Sequence, residues 1–142
     1  MKKILFILLS SILLGGCSFT PSNSDIVIGL GSEITNLDTF ELFLENVNGG
    51  KTDRIRIVSY TDEGDPIIKD VSYDGSSIYA ETDTTRDKFG PSRVESITCK
   101  SIESKVTVTS EKSEEYFLSG CEPSELGGNF GSHLLTKYEG SS

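Results

Sequence analysis

Hydrophobic residues recur along this chain in three rhythms, and each predicts a different element. Residues 4–14, "ILFILLSSILL", are one apolar run broken only by Ser10 and Ser11. As a helix it would span roughly 16 Å at about 1.5 Å per residue, against a bilayer core of about 30 Å, so it predicts no permanent membrane span. Further on, Leu37, Phe40, Leu44 and Val47 recur at helical spacing with Phe43 beside them, while Glu41, Glu45 and Asn46 fall mainly off that stripe. Thr35 or Asn36 is placed to cap this helix, Asp38 suits the positive end of its dipole, and Gly49 and Gly50 stop it.

From there the rhythm shortens to two. A first short strand, "DIVIGL" (25–30), precedes the helix. After it, "RIRIVSYT" (54–61) puts Ile55 and Ile57 on one face and Arg54, Arg56 and Val58 on the other. "DEGDP" (62–66) reads as a turn, and "IIKDVSY" (67–73) as the next strand. Asp74-Gly75 favours a two-residue type I′ turn, which would set Tyr73 opposite Ser76 and Val71 opposite Ile78, with "SIYAETD" (77–83) returning. "TTRDKFGPSR" (84–93) is a long polar connection. Residues 94–104 and 106–118 read as a hairpin centred near Ser110. That register sets Cys99 opposite Cys121 and Ile102 opposite Leu118. It puts Tyr116, Leu118, Ile102 and Val106 on one face and both cysteines on the other. The expected fold is α+β: one amphipathic helix packed on an antiparallel sheet of about five or six strands, in two layers.

The start of the chain reads as an address. Lys2 and Lys3, the short apolar run and the small residues Gly15 and Gly16 make a secretory signal peptide. Leu14-Gly15-Gly16-Cys17 resembles the lipobox of bacterial lipoproteins, which implies cleavage before Cys17 and a lipid thioether on its sulfur. One acyl chain binds a membrane only marginally, whereas two or more anchor stably. The expected organisation is a signal peptide over 1–16, a lipidated tether over 17–24, a domain over 25–121 and a Gly-rich, loosely ordered tail over 122–142, in which "HLLTKY" offers at most an edge strand. The implied place is the outer face of the cell membrane, with the membrane as partner through the lipid at Cys17.

Charge and cysteines narrow the class. The 142 residues carry a net charge of -9; removal of Lys2 and Lys3 with the signal leaves 11 basic and 22 acidic side chains, or -11. Nucleic acid requires a basic footprint and is not an expected partner. With Cys17 committed to lipid, Cys99 and Cys121 remain as an even pair in an exported chain, which reads as a disulfide.

Candidate chemistry is sparse. The only histidine, His133, falls in the tail, which gives nucleophile triads and zinc little to work with. "TDEGDP" and "ETDTTRD" gather acids on loops but do not match an EF-hand. No catalytic residue, metal or cofactor is expected. Polar loops often carry function, so Asp62, Glu63, Asp65, Arg86 and Asp87 are the candidate contacts.

The stretches "TNLDTFELFLENV", "DRIRIVSYTDEGDPII", "YDG", "TRDKFG", "TCKSIE" and "YFLSGC" resemble domain-of-unknown-function family 4362, small secreted lipoproteins of Firmicutes. The resemblance runs over residues 34–121. It implies a shared signal peptide, helix-then-strands order and cysteine pair, and it implies no activity. The expected function is a non-catalytic, lipid-anchored binding or interaction module. The alternative is an inhibitor or immunity-type protein acting on a basic envelope enzyme or toxin, with an envelope protein as partner. A small hydrolase ranks third.

Overall fold

The computed structural model describes residues 19–122 and 129–140. The signal segment and Cys17 lie outside the described residues. Strands β1 (Ile26–Ile28) and β2 (Ile34–Thr35) precede helix α1 (Leu37–Asn48). Four longer strands follow: β3 (Asp53–Tyr60), β4 (Pro66–Tyr73), β5 (Ile78–Asp83) and β6 (Val94–Cys99). With β1 and β2 they form a six-stranded sheet in the order β2-β1-β3-β4-β5-β6. It is antiparallel except where β1 runs parallel to β3, because the chain crosses over through α1 between them.

One face of this sheet supplies the core. Ile26, Ile55, Ile57, Val71, Ile78, Ala80, Ile97 and Cys99 are buried there with Phe40 and Phe43 of α1. Leu37, Leu44 and Val47 flank them, so the helical stripe meets the sheet as its spacing requires. The helix start differs from expectation. Asn36 is the N-cap residue, yet its side chain caps nothing. It sits at φ 59° and donates from Nδ2 to the carbonyls of Asn23 (3.0 Å) and Asp25 (2.7 Å), tying the segment before β1 to the helix.

The β4–β5 turn is also longer than the Asp-Gly pair predicts. Tyr73 lies opposite Ile78, and Val71 opposite Ala80, so the loop holds four residues. The carboxylate of Asp74 accepts from the backbone N–H groups of both Ser76 and Ser77 at 2.8 Å, and this side-chain turn displaces the two-residue one. The shift is two residues, so each side chain keeps its face.

A second sheet of three strands, β7 (Ser101–Val108), β8 (Lys112–Ser119) and β9 (His133–Tyr138), follows in the order β7-β8-β9. Ile102 faces Leu118 as expected. Cys99 and Cys121 form a disulfide, with their Cα atoms 3.9 Å apart. Their expected face is corrected, however: Cys99 lies in the same core as Leu118. The chain bends at Lys100, opposite Gly120 at φ +64°, and this paired kink restarts the alternation between β6 and β7. Val106, expected on the face of Ile102 and Leu118, is exposed, because the hairpin runs past the core there. Within the tail, "HLLTKY" is the edge strand its pattern offers, and it also contributes to the core. Residues 133–138 pair with β8, and Leu134 and Leu135 are buried. Their apolar side chains close the core that α1 leaves open. A short helix, α2 (Asn129–Ser132), leads into β9. No helix among the described residues is long and apolar enough to cross a membrane.

Candidate functional site

On β4, Ile67, Lys69, Val71 and Tyr73 alternate toward the covered face of the sheet. Lys69 therefore points inward, between Ile57 on β3 and Thr82 on β5, and is 8% exposed. Its ammonium donates to the carbonyl oxygens of Gly131, at 3.2 Å, and His133. Burial pushes its pKa down to about 8. Beside it opens a cavity of about 470 Å³, lined by Ile28, Ile57, Ser59, Ile67, Thr82, His133 and Leu134. Its walls are mostly apolar, with one cationic head and the hydroxyls of Ser59 and Thr82 as polar points. That composition suits a small ligand with an apolar body and an oxygen-bearing head.

His133 is half-buried on this wall. Burial, then the positive charge of Lys69, hold its pKa below the usual imidazole range, against an opposing pull from Glu115. Its Nε2 lies 3.1 Å from Thr136 Oγ1 and 3.9 Å from Glu115 Oε1. Both contacts fall on one ring nitrogen. A nucleophile–base–acid relay needs one partner on each, so this cluster is not arranged as a triad.

The sequence-derived contact loops are brought together at one end of the first sheet. Asp65 is buried, and its carboxylate accepts from the backbone N–H of Lys88 (3.0 Å) and from its ammonium (2.9 Å). These two bonds tie the β3–β4 loop to the β5–β6 loop. The backbone bond first, then the ammonium, hold the Asp65 carboxyl below its usual pKa. Arg86 pairs with Asp83 at 2.6 Å and lies over the ring of Phe19, 5.3 Å from its centroid. Asp87 accepts from the N–H groups of Phe89 (2.9 Å) and Gly90 (2.8 Å). A Cβ at residue 90 would overlap that carboxylate, so any other residue there would have to displace the Asp87 side chain from its turn. Asp65, Arg86 and Asp87 thus hold the loops, whereas Asp62 and Glu63 are exposed. No group of three or more His, Cys, Asp or Glu side chains among the described residues converges as a metal site would.

Lys69 and His133 escaped the sequence reading. A lysine at the inward parity of "IIKDVSY", flanked two residues away by Ile67 and Val71, was the available signal for the first. Nothing local marked the second, whose place depends on the pairing of β9.

No curated protein and no solved structure matches the chain. A family profile matches residues 23–116, from the segment before β1 into β8. This chain therefore belongs to the family described as Domain of unknown function (DUF4362).

Proposed function

We propose that this protein is a non-catalytic binding module, carried on the outer face of the cell membrane by lipid at Cys17, whose cavity beside Lys69 takes a small amphiphile with an oxygen-acceptor head. The observation that supports it is a buried ammonium at the wall of a mostly apolar cavity. Keeping a lysine at a strand position flanked by isoleucine and valine costs desolvation. A ligand carboxylate or carbonyl beside it would join the carbonyls of Gly131 and His133, to which the ammonium already donates.

Sodium octanoate and octanol are suitable probes. Octanoate should perturb the His133 and Leu134 resonances of the isotope-labelled protein, and Lys69→Met should weaken its binding while leaving octanol nearly unaffected. Unperturbed resonances, or equal octanoate affinity in the variant, would remove the reading. The anchor is tested separately. Cys17→Ala should move the protein from the detergent phase to the aqueous phase, and unchanged partitioning would remove it.

Exposed Asp62 and Glu63 favour the inhibitor as second reading. Its mark would be salt-sensitive capture of one basic envelope enzyme, lost on Asp62→Asn with Glu63→Gln.

A further inference from the structure

Strands β1 and β3 run parallel, and β3, β4, β5 and β6 alternate in direction. Loops 29–33, 61–65 and 84–93 must therefore lie at one end of the first sheet. The turn at 74–77 and the link from α1 to β3 lie at the other.

The N-terminal segment runs from the middle of the sheet toward its loop end. At its far end, Ser22 donates from its N–H (2.8 Å) and its hydroxyl (2.7 Å) to Asp25, which leads into β1. At its near end, Phe19 lies beneath Arg86, inside the 84–93 loop. Ser22, Ser24 and Asp25 border a groove with Arg54, Arg56 and Asp70 on the face of the sheet opposite α1. Residues 19–24 are thus not a free tether: they run along the sheet and leave it at the loop end. Cys17 is two residues from Phe19, a reach of at most about 7 Å.

The same end carries exposed apolar side chains. Phe89 is 76% exposed, Leu30 67% and Val94 52%. Its cations are already paired: Arg86 with Asp83, Lys88 with Asp65 and Arg93 with Glu95. Asp62 and Glu63 share the edge, so anionic lipid has nothing to attract it. Covalent proximity, not charge, brings this end to a surface, and an aromatic with an aliphatic side chain is what an acyl boundary accepts.

We infer that the loop end of the sheet rests on the bilayer, with Phe89 and Leu30 entering the acyl boundary of a zwitterionic lipid surface. This rests on the lipid-anchor reading above. The cavity beside Lys69 includes Ile28, Ser59 and Ile67 from the same end of the strands, so it lies on the side nearest the lipid.

The chain has no tryptophan, so a single introduced indole reports its own surroundings. Full-length lipidated protein carrying Phe89→Trp, Leu30→Trp or Ser76→Trp is placed in dioleoylphosphatidylcholine vesicles, with or without phosphatidylcholine brominated in its acyl chains. Indole at 89 and at 30 should show blue-shifted emission and be quenched by the brominated lipid. Indole at 76, on the opposite turn, should show neither. If protein that floats with the vesicles is quenched equally at 89 and 76, or at neither, the docking inference falls while the anchor stands. If the protein does not float, the anchor reading falls and the inference with it.

Discussion

The ring of Phe40 on α1 meets that of Tyr116 on β8 edge to face, with centroids 5.1 Å apart and planes at 79°. Tyr116 in turn lies opposite Leu135 on β9. This line of three side chains joins the helix to the second sheet and makes the C-terminal strand part of the core. Aromatic pairs of this geometry contribute about 0.5–1.5 kcal/mol beyond their buried area.

Leu135 is fully buried. Leu135→Ala should cost about 2–5 kcal/mol, because the emptied volume cannot fully collapse. Urea denaturation checks this. A loss below about 0.5 kcal/mol, the range of surface substitutions, would mean that β9 is an accessory to the fold rather than part of it.

The disulfide closes a loop with a sequence separation of 22. On the chain-entropy account such a loop contributes about 3 kcal/mol. Cys99→Ser or Cys121→Ser should lower the melting temperature and release one free thiol. Thiol titration of the wild type in denaturant should find no additional thiol until reductant is added. Equal counts before and after reduction would rule the bond out.

Burial holds the Lys69 ammonium at about 8 against its usual 10.5. Between those values the unfolded chain binds more protons than the folded one, so stability rises with pH across that window. The shift corresponds to at most about 3 kcal/mol. Burial first, then a hydrogen bond with Glu114, raises Tyr116 to about 12, which acts in the opposite sense but only above its usual 10. Denaturation midpoints are therefore best compared at pH 8 and pH 10. The wild type should gain stability over this range and Lys69→Met should gain less. Parallel profiles for the two would show that the lysine is not desolvated.

Asp65 titrates below its usual 3.8 because Lys88 donates to it twice. Its contribution is complete above that usual value and is lost as pH falls through the lower folded one. Asp65→Asn should speed amide exchange at Lys88 and Phe89 near neutral pH while leaving the disulfide intact. Exchange rates matching the wild type would show that the loops are held together by something else.

The periodicity of Leu37, Phe40, Leu44 and Val47, and the alternation of Ile55 and Ile57, were enough to read the helix, the buried sheet face and the α+β class. Local spacing carries that information because each element must put its apolar side chains on one side. The pairing of Cys99 with Cys121 and of Ile102 with Leu118 was legible for the same reason, since a single hairpin register satisfies both. The candidate loops were legible as turns, but not the role of Asp65, whose partner lies 23 residues away.

Other features depended on contacts between distant parts of the chain. The parallel course of β1 beside β3 follows from the path of α1, and the kink at Lys100 and Gly120 assigns β7 to a second sheet. Pairing of β9 with β8 turns a glycine-rich tail into core and carries Gly131 and His133 to Lys69, more than sixty residues earlier in the chain. Local pattern determined which side chains seek burial. Tertiary structure alone decided which surfaces meet to bury them, because that depends on the three-dimensional path of the whole chain, and the cavity beside Lys69 exists only where those surfaces meet.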